Sequence, residues 1–154
     1  MILNPILKVI LISAVPLIEQ RGAIPVGILV DHLNPIVVFF ASLLGSVIPA
    51  PFVFLLSGKI LELMKKVKQL NWFTNFVDRK IQKGSKKLEK YKEIGLITFV
   101  GIPLPTTGLW TGSAIAAFMG LNFKKSMFCV FIGGVISAII ITVASIVFPA
   151  LLGL

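Results

Sequence analysis

Residues 16–25 read PLIEQRGAIP, and the fold turns on how this stretch is read. It interrupts an apolar run, with MILNPILKVILISAV (1–15) before it and VGILV (26–30) after it. Glu19 and Arg21 put two formal charges where each costs about 3 kcal/mol at the centre of a membrane helix. Pro16 and Pro25 bracket them, and an interior proline removes a backbone hydrogen bond and clashes with the preceding turn. A continuous spanning helix accommodates none of this well. The stretch is better read as the unwound tip of a helical hairpin that enters and leaves the membrane on one side, where Glu19 and Arg21 converge on one site.

The rest of the chain supports a membrane setting. Of its 154 residues, 56% are hydrophobic and 14% charged, and the mean hydropathy is +0.99. A water-soluble domain of this size has too little interior to hide so much apolar surface. Long apolar stretches without ten-residue alternation favour helices over a β-barrel. The N-terminus lacks a basic stretch and a small-residue cleavage site, so a cleaved signal peptide is not expected. The single cysteine, Cys129, and single histidine, His32, exclude an intrachain disulfide and a structural zinc site. Eleven of the fifteen basic residues fall within 59–93, and two more are Lys124 and Lys125. Such clustering marks a cytoplasmic face rather than a nucleic-acid surface.

Four apolar segments follow: 2–30, 35–57, 94–121 and 126–152. The second and fourth are uncharged and long enough to span. The third is broken, like the first, by VGIPLPTTGLWTG (100–112). If all four span, Lys124 and Lys125 lie opposite the 59–93 cluster. If the first and third are re-entrant, thirteen of the fifteen basic residues share one side, which fits the positive-inside bias. Each leg of such a hairpin has about 13 residues, or about 20 Å, enough to reach the midplane of a ~30 Å core. The expected fold is therefore an all-α integral membrane protein. It is an inverted repeat of two re-entrant helical hairpins plus two spanning helices, with a cytoplasmic amphipathic helical segment. Repeat one is 1–58, the basic connector 59–93 and repeat two 94–154, in a single membrane domain of the cell membrane. A shift of 88 positions pairs Asn34 with Asn122, Gly45 with Gly133 and Ala50 with Ala138. Inverted repeats with broken helices at the midplane are a transporter signature.

Candidate substrate-binding residues are Glu19, Arg21 and Pro25 on the first tip and Pro103, Pro105, Thr106, Thr107 and Trp110 on the second. Arginine offers a planar donor fork for phosphate or carboxylate. A partly desolvated glutamate can exchange a proton or hold a cation. The bland alternative is an internal Glu19–Arg21 ion pair that ties the tip and touches no cargo. Gly108, Gly112, Ala116 and Gly120 form a small-residue stripe suited to close helix packing. Ile60, Leu63, Val67, Leu70, Val77, Ile81, Leu88 and Tyr91 give the connector an apolar face opposite its lysines, suited to anionic lipid headgroups or, less well, to a coiled-coil partner. No P-loop, HExxH or nucleophile–His–acid set is present, so no enzyme, cofactor or metal is indicated. Any transport is then secondary.

The motif E-x-R-x-A-I-P (Glu19 to Pro25), together with PLPxTGxWTGS (Pro103 to Ser113), resembles the small multidrug export protein family over nearly the whole chain. The resemblance implies efflux of small amphipathic compounds. The hairpin architecture is also similar to the DedA/VTT group, which is linked to polyprenyl-phosphate translocation and lipid scrambling. That likeness implies a lipid-phosphate substrate for Arg21. A non-transporting scaffold that binds anionic lipid is a further alternative. An ion channel fits poorly, since no charge ring or carbonyl filter is evident. Two spanning helices enclose a polar site thinly, which suits a homodimer.

Overall fold

The computed structural model describes residues 4–66, 75, 86–104 and 107–152. These are helical throughout: α1 (Pro5–Ser13), α2 (Glu19–Pro25) running into a π-helical turn (Val26–Val30), α3 (Pro35–Val47), α4 (Ala50–Lys65), α5 (Lys86–Gly101), α6 (Leu109–Phe118) and α7 (Phe123–Leu152). Asn4 and Asn34 cap α1 and α3 by accepting from Ile6 and Ile36 N–H at 3.0 and 2.9 Å, each just before a proline at the first helical position. Asn122 does the same for α7, accepting from Lys124 N–H at 3.0 Å.

Two helices have bilayer length. α3 and α4 stack end to end as Pro35–Met64, 30 residues, and the second is Phe123–Leu151, 29 residues. Both turn large apolar side chains outward, among them Phe40, Phe52, Leu56, Phe128, Phe148 and Leu151. This surface suits lipid and would aggregate in water. The chain is a helical membrane protein. The other helices are short. At 1.5 Å per residue, α1 with 9 residues and α6 with 10 cover about 15 Å, half of a ~30 Å hydrocarbon core.

Three local readings need correcting. The segment 35–57 was expected to be one uninterrupted helix, but Pro49 and Pro51 each withhold an N–H from the helical ladder. A two-residue turn at 48–49 therefore separates α3 from α4. The unwound tip of the first hairpin is 14–18 rather than 16–25, and Glu19, Arg21 and Pro25 lie on a helix. Pro25 denies its bond to the Arg21 carbonyl, and the chain widens into the π-turn rather than ending. The connector begins and ends inside helices, since α4 continues to Lys65 and α5 starts at Lys86. Its central residues, including Leu70, Trp72 and Val77, lie outside the described residues.

The chain packs around two cores. One joins Val9, Ala23, Ile24, Val38 and Ala41 with Ala138 and Ile141 of α7. The other joins Leu96, Val100, Leu109, Ala116, Cys129 and Val130 with Ala50 of α4. α1 packs on α2 and α3, and α5 packs on α6 and α7. The halves meet where α2 lies on α7 and α6 lies on α4. Ser46 Oγ donates to the Ser13 carbonyl at 3.1 Å between α3 and α1. Lys8 Nζ reaches both Asp31 oxygens, at 2.9 and 3.0 Å, and ties α1 to the end of the π-turn.

The small residues serve packing within this chain. A Cβ on Gly45 would meet the Ile10 carbonyl oxygen and lie 2.8 Å from Ser13 Cβ on α1. A Cβ on Gly133 would lie 2.9 Å from the Ile97 carbonyl oxygen on α5. Along the 108–120 stripe, Gly112 faces Val100 and Ala116 is buried, whereas Gly108 and Gly120 take positive φ at the two ends of α6. Gly58, by contrast, has nothing within 4 Å of its would-be Cβ. Gly45→Ala is therefore expected to destabilise the detergent-solubilised protein by about 2 kcal/mol. Gly58→Ala should stabilise it by up to about 1 kcal/mol. Thermal unfolding of the two variants reads the difference, and equal melting temperatures would contradict this packing.

Candidate functional site: the meeting of the two hairpin tips

The site starts from an unfilled helix end. α6 begins after Gly108, which provides no side chain to cap its first N–H groups. Glu19 supplies the cap from the other half of the molecule. Its Oε2 accepts from Leu109 N–H at 3.1 Å and its Oε1 from Trp110 N–H at 2.8 Å. Carboxylate bonds of this kind are charge-assisted, and the positive end of the helix dipole adds to them. The side chain is 3% exposed.

The backbone is shaped for this contact on both sides. Gly108 has φ 142°, which favours glycine. A Cβ at Gly108 would run into the Glu19 carboxylate. On the facing tip, Leu17 and Glu19 have φ of 71° and 46°. Such left-handed residues cost about 1–3 kcal/mol each and persist where surrounding contacts over-determine them.

Arg21 also reaches across. Its Nη2 donates to Thr107 Oγ1 at 2.7 Å. Thr107 organises the broken stretch before α6. Its hydroxyl lies 2.6 Å from the Ile102 carbonyl, to which it donates, and accepts from Leu104 N–H at 3.2 Å. Gln20, between the two charges, donates through Nε2 to the Gly134 carbonyl of α7 at 2.9 Å. EQR thus spends all three side chains on the second half of the molecule. Glu19 and Arg21 do not bond to each other.

Of the residues singled out from sequence, Glu19, Arg21, Thr107 and Trp110 come together. Pro25 and Pro103 line a neighbouring cleft with Arg21. Pro105 and Thr106 lie outside the described residues. Gln20 escapes a reading that looks for charge, although its place in the EQR triplet was a usable signal. The cleft has a volume of about 540 Å³ and is walled by apolar side chains, including Leu29, Ile141, Ala144 and Phe148. That falls within the 300–1,000 Å³ of small-molecule sites. Around the junction, Arg21 Nε, Gln20 Oε1, Trp110 Nε1, Ser113 Oγ and Ser137 Oγ are buried without hydrogen-bond partners among the described residues. Among these residues no group of three or more His, Cys, Asp and Glu could hold a metal.

Bilayer-length helices, half-length helices and intramembrane charges at a helix break define a membrane protein of transporter type. The family model described as "Putative small multi-drug export protein" matches residues 19–140, from the Glu19 tip well into α7. The chain belongs to this family, whose name is that of an exporter. No curated protein and no solved structure matches it.

If Glu19 holds α6, Glu19→Ala loses two charge-assisted bonds, and about 3 kcal/mol of stability is expected to go with them. Gly108→Ala should give a similar loss by displacing the same carboxylate. Because both substitutions break one contact, the double variant should lose far less than the sum of the single losses. Additive losses in thermal unfolding would show that the two residues act separately.

Proposed function

We propose that this chain is a secondary transporter that moves small amphipathic cargo through the junction of its two hairpin tips. One observation carries the reading: Arg21, half-buried and with its Nε unpartnered, faces an apolar cleft of about 540 Å³. A cleft that joins one cation and several polar groups to a long apolar wall suits a molecule with a polar head and an apolar body. The family name supports export.

The half-length α1 and α6 support re-entrant hairpins, since neither crosses the membrane alone. The two cores support an inverted repeat. Each half borrows one alanine from the other half's long helix, Ala138 for the first core and Ala50 for the second. These are the positions that the 88-residue shift pairs. Gly45 and Gly133, another such pair, each admit the first leg of their own hairpin. In this arrangement the basic connector and Lys124 face the cytoplasm, and a second copy would close the cleft from the membrane.

A second reading concerns the cargo's charge. Glu19 is occupied by α6, so the net charge facing the cleft is that of Arg21. This favours an anionic head, such as a lipid phosphate, over an organic cation. In proteoliposomes, Arg21→Gln should slow an anionic lipid-phosphate cargo at least about tenfold, a loss of ~1.4 kcal/mol, and spare a lipophilic cation. The reverse pattern would favour the cation. Flux insensitive to both Arg21→Gln and a cleft-filling Ala144→Trp would place the site elsewhere, and no flux of any cargo would favour a scaffold.

Protonation of Glu19 would leave one acceptor for two amide donors and loosen the junction. Glu19→Gln is accordingly expected to abolish the pH dependence of transport, and unchanged pH dependence would remove Glu19 from coupling. For topology, a cysteine replacing Lys124 in a Cys129→Ser background should react with an impermeant reagent only from the cytoplasmic side. Labelling from outside would defeat the hairpin arrangement.

A further inference from the structure

A second cavity lies one α6 length, about 15 Å, from the Glu19 contact. It is enclosed between α5, the α6–α7 turn and the first turns of α7, and its volume is about 90 Å³. Lys92, Glu93, Asn122, Lys125, Ser126 and Cys129 supply its chemistry. None of them belongs to the cargo junction.

Three features give the cavity a sign. It sits at the start of a 30-residue helix, where the macrodipole places partial positive charge. Lys92 and Lys125 bring two ammonium groups against one carboxylate, Glu93, which Lys125 Nζ meets at 3.2 Å. Ser126 is 1% exposed and its hydroxyl has no hydrogen-bond partner among the described residues. A helical serine commonly bonds back to the carbonyl four residues earlier. Here that carbonyl, of Asn122, accepts the Ser126 backbone N–H at 2.9 Å, while the hydroxyl stays in the cavity wall. A buried donor left unpaired costs about 1–3 kcal/mol, which a ligand acceptor would relieve. Cations find a poor site, because Glu93 is already paired and Asn122 Oδ1 already accepts from Lys124 and Lys125 N–H.

We propose that this cavity binds a phosphate group, with Ser126 Oγ–H and Lys92 Nζ as donors and Lys125 as the second cation. At ~30 Å³ per water, its volume of about 90 Å³ equals three waters. This suits one tetrahedral oxyanion and is far below the 300 Å³ or more of a drug-sized site. Binding requires Lys125 to share its charge between Glu93 and the ligand. The site is distinct from a diffuse attraction of the basic connector to lipid, because it depends on a buried hydroxyl and a defined cavity. The phosphate may be free or carried on a lipid headgroup, and the two sources can be separated.

Cys129 is the chain's only cysteine and lines the cavity, so it reports occupancy directly. The full chain in detergent is treated with methyl methanethiosulfonate, alone, with inorganic phosphate, with phosphatidate, or with phosphatidylcholine. A ligand present at twice its Kd should slow Cys129 modification about threefold, since the free fraction falls as 1/(1 + [L]/Kd). Protection by inorganic phosphate and phosphatidate alike assigns the shared group. Protection by phosphatidate alone assigns a lipid headgroup, and by phosphate alone a soluble ligand. Ser126→Ala and Lys92→Gln should each abolish protection without lowering thermal stability. Native mass spectrometry gives an independent readout, with one phosphate or phosphatidate adduct on the wild-type chain and none on either variant. No protection and no adduct, equal protection by phosphatidylcholine, or protection that survives both substitutions would overturn the proposal.

Discussion

A carboxylate on the first backbone amides of a helix it does not belong to holds this molecule together. α6 has no cap of its own, and Glu19 has no partner of its own within α2. Each completes the other across the boundary between halves, at 2.8 and 3.1 Å. Without water, an unsatisfied helix end or a bare carboxylate is costly at membrane depth. The contact cancels both costs at once. Gly108 follows from it, because any Cβ there would occupy the carboxylate's place. The left-handed Glu19 backbone follows too, as does the register that lets Arg21 meet Thr107 and Gln20 meet the Gly134 carbonyl.

This constraint also explains why the remaining parts can be short. α1, α2 and α6 expose their ends part-way along their neighbours, which is tolerable only if other protein groups receive those ends. Tip-to-tip capping satisfies them, and the long helices α3–α4 and α7 shield the junction with apolar walls. The glycines at 45 and 133 then set how closely each short helix approaches its long neighbour. In this protein the polar contacts fix which tips meet, and the small residues fix how tightly.

Much of this was legible in the sequence, and the gaps have physical causes. Hydropathy marked two helices of spanning length, and charge beside proline marked the first tip. Asn34 and Asn122 signalled helix starts. The exact place of the chain break was not legible, because Pro25 is compatible with a helix that widens into a π-turn. Pro49 and Pro51 were overlooked inside an otherwise continuous apolar run. The charges were expected to converge on one site. Sequence alone could not tell that Glu19 would choose backbone amides 90 residues away over Arg21 two residues away, since that choice depends on the orientation of α6. Gln20 was hidden by its lack of charge, and the Ser126 cavity by distance in sequence between α5 and α7.

The most direct measurement is the proximity of the Glu19 carboxyl carbon to the Trp110 backbone nitrogen in the membrane-embedded protein. Solid-state NMR can read it by dipolar dephasing, with carboxyl-¹³C glutamate and backbone-¹⁵N tryptophan in a Trp72→Phe background that leaves Trp110 as the only labelled nitrogen. An Oε1···N separation of 2.8 Å predicts strong dephasing for a ¹³C–¹⁵N distance within about 4 Å, lost on Glu19→Gln substitution. No dephasing in the wild-type protein, or dephasing that persists without Glu19, would contradict the junction on which this account rests.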